Sequence, residues 1–232
     1  HHHRDQAKAT SKQQKLSSKV ESGALPSDDD RELSRQALFA AAELYQQASV
    51  VDKAAVNRAI VAYRQYAHEF TQPVAERMEA MYTLTQLYLD EKLMDKREYW
   101  LTKIIASHRD MSEKTQRSTY LAAFSSAELL SAKLPDYYAM RLTAPLQQSL
   151  AAKRKALEQR LAECEELAAY AVAEFTTLAT QHMGQLYADF ASSLLASERP
   201  RDLDDLALEQ YDILLEEPVS YTHLRAHETQ RY

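Results

Sequence analysis

The sequence predicts an all-α protein, an α-solenoid of antiparallel helix pairs. Three observations lead there. Only 2 glycines and 6 prolines occur in 232 residues. That is too few for the turns of an all-β sandwich, and it leaves no glycine loop to cradle a dinucleotide or a phosphate. From residue 30 to residue 217, Ala, Leu, Glu, Gln, Lys and Arg dominate, all of them good helix formers. No segment alternates apolar and polar residues with period two over the length of a strand. At 45% hydrophobic and 27% charged residues, the chain has apolar side chains for one core or a short stack of repeats.

Residues 1–29 are rich in Lys, Gln, Ser and Asp and nearly without large apolar residues. Such a segment buries too little surface to offset its ordering entropy, so a flexible polar tail or linker is expected. Arg4, Lys8, Lys12, Lys15 and Lys19 make it locally basic, but it has no apolar face with which to anchor on an anionic surface. Order is expected to begin at Ser27–Asp30. There Asp29 and Glu32 read as a helix N-terminal box, and the acidic residues suit the positive helix end.

The first helix carries the stripe Leu38, Ala41, Ala42 and Tyr45. The second starts near Asp52, with Ala55, Ala59, Ala62, Tyr63, Tyr66 and Phe70 inward. Pro73 opens a third, bearing Met81, Leu84, Leu87 and Tyr88. A fourth begins near Asp95, with Trp100, Leu101, Ile104 and Ile105. Ser112 is the expected cap of a fifth, with Tyr120, Leu121, Phe124 and Leu129. Pro135 and Pro145 are expected to bracket a short helix containing Tyr137, Tyr138 and Met140.

No proline interrupts the chain between Pro145 and Pro200. One straight helix there would run about 80 Å. Leu150, Leu157, Cys164 and Ala171 recur every heptad, and Leu161, Ala168 and Phe175 form a neighbouring row. The reading is one long antiparallel hairpin over 145–197, turning within Ala169–Thr177, followed by a last helix over Leu203–Glu216. Residues 30–217 thus form the helical domain. Val219–Thr229 resembles the in-frame translation of a transposase-type sequencing-library adapter. Residues 218–232 are therefore expected to be a non-native tail, and the domain to be truncated at its end. The helical metal spacing of His223 and His227 is discounted on that ground.

The helix pairs resemble tetratricopeptide repeats. The first helix of that repeat carries a large apolar residue, an apolar–small pair and then an aromatic. Leu38…Ala41-Ala42…Tyr45, Met81…Leu84-Thr85…Tyr88 and Thr180…Met183-Gly184…Tyr187 keep this order. The small position lets the second helix cross closely, so Gly184 gives up about 1 kcal/mol of helix propensity for close packing. Second-helix matches are Ala59…Tyr63 and Ala207…Tyr211…Leu214…Pro218. The resemblance spans roughly residues 33–217; its linkers exceed the strict repeat length, and 145–197 is not a standard repeat. An ordinary helical bundle would bury the same residues and stays open as the alternative.

The resemblance implies a non-enzymatic scaffold that binds protein or peptide partners in a concave groove. Phe39, Glu43, Tyr82, Gln86 and Asp90 fall on the groove side. Within the family the chain is most similar to bacterial cell-envelope members, among them lipoproteins of outer-membrane assembly and periplasmic partners of Tol- or gliding-type motors. A periplasmic or outer-membrane-associated location is the corresponding expectation. The Leu150–Phe175 rows motivate a second reading, a coiled-coil spacer that self-associates through the long hairpin. A third is an all-α enzyme completed by residues beyond Glu217.

Chemistry is sparse. No H-E-x-x-H, G-x-S-x-G or paired E-x-x-H motif occurs, and His1–His3 are too few for a metal site. A single Cys excludes an intrachain disulfide or a cysteine-rich zinc site. Cys164 reads as a small buried hydrophobe, and His68, His108 and His182 as helix-surface or helix-end residues. Glu163, Glu165 and Glu166 are expected on a solvated face, as is the acidic run Asp202–Glu217. Lys153, Arg154, Lys155 and Arg160 are expected to be exposed, without the aromatic interleaving of a nucleic-acid platform. The net charge of -6 likewise argues against nucleic acid. No apolar run is long enough for a transmembrane helix. No cofactor or metal is expected.

Overall fold

The structure, a computed structural model, describes residues 27–197. Seven helices occupy them: α1 (Asp28–Ala48), α2 (Lys53–Glu69), α3 (Val74–Asp90), α4 (Met94–Asp110), α5 (Gln116–Ala139), α6 (Leu146–Ala168) and α7 (Ala173–Leu195). The described residues contain no strand, so the all-α expectation holds. The expected helix over 203–216 and the tails 1–26 and 198–232 lie outside the described residues. Two compact units divide the chain, His1–Lys103 and Ile104–Tyr232, with the boundary inside α4. In the first, α2 packs on both α1 and α3; in the second, α6 packs on α5 and α7, and α5 also touches α7. Chain neighbours thus pair, as in a helical repeat. None of the described helices is long and apolar enough to cross a membrane.

Side-chain caps start α1, α2 and α5, and two expectations need correction. At α1 the cap is Ser27, not Asp29. Ser27 Oγ accepts the Asp30 N–H at 3.2 Å while the Asp30 carboxylate accepts the Ser27 N–H at 3.3 Å. Glu32, assigned to that box from sequence, binds Arg35 instead. At α5 the cap is Thr115, not Ser112. Thr115 Oγ1 and Ser118 Oγ each accept the other's N–H at 3.0 Å, and that reciprocity requires a spacing of three. α2 starts where expected, and Asp52 caps it, accepting the Ala54 N–H at 2.9 Å.

The expected short helix between Pro135 and Pro145 does not form. Pro135 lies inside α5, Tyr137 and Tyr138 are in its last turn, and Met140 is its C-cap. Proline costs α5 one hydrogen bond, to the Ser131 carbonyl. Burial of Leu134 and Tyr137 on either side of it holds the turn in place.

The α3–α4 turn closes with a left-handed residue. Lys92 has φ 57. The Leu93 N–H reaches the Tyr88 carbonyl at 2.8 Å, and the Lys92 N–H reaches the Leu89 carbonyl at 3.0 Å. This paired closure normally recruits glycine, because a Cβ in the left-handed region costs about 1 kcal/mol. Lys92→Gly is therefore expected to stabilise the first unit by about 1 kcal/mol in urea unfolding. An unchanged or lowered midpoint would contradict this account of the turn.

The long hairpin over 145–197 is present, α6 against α7, with its turn at residues 169–172. Ala171, expected in the heptad row, is exposed in that turn at φ 55. The row therefore ends at Cys164. Leu157, Cys164 and Leu167 are buried inside the second unit, where Phe175, Leu186, Phe190 and Leu194 of α7 meet them. The row that suggested self-association is occupied within the chain.

The first unit buries Tyr63, Tyr66, Met81, Leu84, Leu87 and Tyr88 as expected, and Met78 besides. Tyr45, read as core, is 38% exposed and lies under the Arg58 guanidinium at 5.5 Å. Ile105 and Leu129 are only half-buried, and Leu130 takes the core position instead.

Candidate functional site

The expected groove residues all belong to the first unit, where α1 and α3 flank a ridge of two tyrosines on α2. Tyr66, fully buried, is the junction. Its hydroxyl donates to Glu76 of α3 at 2.8 Å and accepts from Arg35 of α1 at 2.8 Å. Arg35 is itself only 8% exposed. It donates to both oxygens of Glu32, at 2.8 and 2.7 Å, and also to Glu76. That fork is what a planar guanidinium supplies and an ammonium cannot. Hydrogen bonds from Arg35, then Gln36, hold the Glu32 carboxyl down at about 2. Burial, reinforced by Glu76, pushes the Tyr66 phenol up to about 12.

Further along the ridge, Tyr63 donates to Gln46 of α1 at 2.7 Å. Burial, aided by the Glu43 charge, pushes its phenol up to about 12 as well. The two phenols thus tie α1 to α2 at two levels, and Tyr66 ties α3 to it as well.

Phe39 is half-buried and spends its ring on this ridge, edge-on to Tyr66 at 4.9 Å and to Tyr63 at 6.0 Å. It is more a packing residue than a groove residue. Glu43 follows one turn later, exposed. On α3, Tyr82 and Gln86 are half-buried and Asp90 is exposed, one above the other at helical spacing. The Gln86 amide donates to Thr85 at 3.2 Å, and the Tyr82 carbonyl accepts the Thr85 hydroxyl at 2.7 Å. Neither Glu43 nor Asp90 has an ion-pair partner among the described residues.

Sequence reasoning missed Arg35 and Glu76. Arg35 sits three residues before Leu38 on the inward stripe of α1, and a cation at a stripe position was the available signal.

The second unit repeats that pattern. Lys153, expected to be exposed, is 1% exposed. Its ammonium pairs with Asp189 of α7 at 2.7 Å, donates to the Met140 carbonyl at 3.0 Å and lies 4.9 Å over the Tyr137 ring. Tyr137 in turn donates to the Leu186 carbonyl at 3.2 Å. Burial, then the Asp189 charge, raises both the Tyr137 and Tyr138 phenols. Lys153 lies on the inward stripe between Leu150 and Leu157, which explains the correction. Arg154 and Lys155 are exposed as expected. Arg160 and Glu163 are not on a solvated face. They pair at 3.0 Å, and Glu163 also takes Lys133 at 2.8 Å.

Cys164 is buried, and burial, then Glu163, pushes its thiol up to about 12. A thiol that stays protonated is a poor nucleophile, in line with its reading as a small hydrophobe. Among the described residues no group of three His, Cys, Asp or Glu side chains could hold a metal ion. Comparison with known protein families, with curated proteins and with solved structures gives no match.

Proposed function

We propose that the chain is a non-enzymatic scaffold of tetratricopeptide type that binds a protein segment along the outer faces of α1 and α3. The observation that carries this reading is the arrangement around Tyr63 and Tyr66. The two phenols tie α1 and α3 to α2, with Glu43 and Asp90 exposed on those helices and Tyr82 and Gln86 half-buried. The burial of Ala42, Thr85 and Gly184 supports the repeat resemblance, since these are its small positions. Placement in a bacterial envelope complex follows from the resemblance alone.

Charge indicates the kind of segment. α1 carries Asp28, Asp29, Asp30, Glu32 and Glu43 against Arg31 and Arg35, and α3 carries Glu76, Glu79 and Asp90 against Arg77. α2, between them, carries Lys53, Arg58 and Arg64 against Glu69. The outer helices are acidic and the middle one basic. A partner with an apolar anchor for Tyr82 and Lys or Arg beside it fits α1 and α3. Rim charges of this kind speed association and select partners more than they add affinity.

The test is a Tyr82→Ala, Asp90→Lys double variant with an Arg64→Glu control on α2. The double variant is expected to keep the helical circular dichroism spectrum and to lose the partners that the wild type retains in pull-down. The control is expected to keep both. Unchanged partner recovery by the double variant would remove this surface from consideration.

A further inference from the structure

His108 lies in the last turn of α4, inside the second unit, and takes no part in the proposed binding surface. It is 5% exposed. Its Nδ1 lies 3.3 Å from Ser118 Oγ, and its ring centre lies 5.8 Å from that of Tyr170 in the α6–α7 turn. Tyr170 is tied onward to α5, where Ser126 donates to its hydroxyl at 3.3 Å. One imidazole therefore touches the start of α5 and the far turn of the hairpin at once.

Ser118 is no ordinary neighbour. Its hydroxyl accepts the Thr115 N–H at 3.0 Å and donates to the Thr115 carbonyl at 3.0 Å, so it is half of the box that starts α5 and accepts from His108 Nδ1. We infer that His108 is an acid-operated latch: neutral, it clamps the end of α4 to the α5 cap and the Tyr170 turn, and protonated, it releases them.

The groups facing the ring decide the sign. α5 offers the Ser118 hydroxyl, the α6–α7 turn offers the Tyr170 phenol, and the α4–α5 connection offers Lys114, a cation. On α4 itself, Arg109 and Asp110 are exposed and engage each other at 3.4 Å. None of these groups is a carboxylate facing the ring. The C-terminal carbonyls of α4 favour a cation. Burial opposes it more strongly, and Lys114 adds to that, so the His108 pKa falls below its usual 6.5. A base lowered in the folded state contributes stability in full above the unfolded value, and that contribution is lost as pH falls through the folded value. The latch therefore opens on acidification below about 6.5, the ordinary histidine value.

The test is hydrogen exchange on the whole chain at pH 8 and pH 5.5, corrected for intrinsic exchange, in wild type and His108→Gln. Glutamine keeps a hydrogen bond to Ser118 and cannot titrate. In the wild type, protection of the Ser118–Leu121 amides is expected to fall by up to about tenfold on acidification, one proton's coupling over the pH unit between the ordinary histidine value of about 6.5 and pH 5.5. The variant is expected to show no such fall. Equal pH dependence in both proteins would overturn the latch. A second readout needs no variant: the His108 ring, followed by NMR, is expected to titrate below the ordinary histidine value of about 6.5. Titration at or above it would also overturn the inference.

Discussion

Asp189→Ala is expected to destabilise the second unit by about 3–5 kcal/mol, whereas Lys153→Met is expected to cost about 1 kcal/mol. The asymmetry follows from burial. The Lys153 side chain is 1% exposed and the Asp189 side chain 28%. Removing Asp189 leaves an ammonium in the interior with only the Met140 carbonyl and the Tyr137 ring for company. An unpaired buried charge of this kind is among the most destabilising changes known. Removing the lysine leaves a carboxylate that can turn to water, and methionine fills the volume of the lysine stem with a flexible apolar chain. A double variant separates these effects. Lys153→Met added to Asp189→Ala should restore most of the lost stability, because no buried cation then remains to be satisfied. The measurement is urea unfolding followed by helical circular dichroism. Asp189→Ala within 0.5 kcal/mol of wild type, or a double variant less stable than that single one, would contradict the assignment of Lys153 as a paired interior cation.

Lys153 also marks where the sequence stops being readable. Spacing predicted the helices, the α6–α7 hairpin and nearly every stripe, because period 3.6 reports which side of a helix faces inward. Lys153 and Arg35 both lie on inward stripes, and composition alone assigned Lys153 to solvent. A long cation at such a position is buried when a carboxylate on another helix is in reach, and that partner, Asp189 or Glu76, is remote in sequence. Pro135 was misread for a related reason: its local cost is fixed, but the burial of Leu134 and Tyr137 that outweighs it is tertiary. Tyr45 shows the converse, a stripe aromatic left under Arg58 instead of inside. Of the expected groove residues, Glu43 and Asp90 are exposed and Tyr82 and Gln86 half-buried. The commitment of Phe39 to the Tyr63–Tyr66 ridge depends on how α1 crosses α2, which no periodicity encodes.

The Arg35 junction should be the second most sensitive point. Arg35→Ala is expected to cost roughly 2–3 kcal/mol, because hydrogen bonds to charged partners are lost and the Tyr66 hydroxyl loses a donor. Arg35→Lys should recover less than half of that, since a single ammonium cannot span Glu32 while also reaching Tyr66 and Glu76. The pH profile gives an independent check. Glu32 is lowered in the folded state, so its pairing with Arg35 contributes fully above about 4.5, and that contribution is lost as pH falls toward 2. Tyr63 and Tyr66 are raised, so their contribution is present below about 10 and is lost as pH climbs toward 12. Stability of the first unit should therefore be flat between these windows and fall outside them, and Arg35→Ala should remove most of the acid limb. The same variant bears on the proposed function. Arg35 lies outside the expected binding set, yet it ties α1 to α3. If those two helices grip one partner between them, Arg35→Ala at a temperature where the unit stays folded should weaken partner recovery while leaving Glu43, Tyr82 and Asp90 in place. Full recovery would mean that the partner reads a single helix and not the pair.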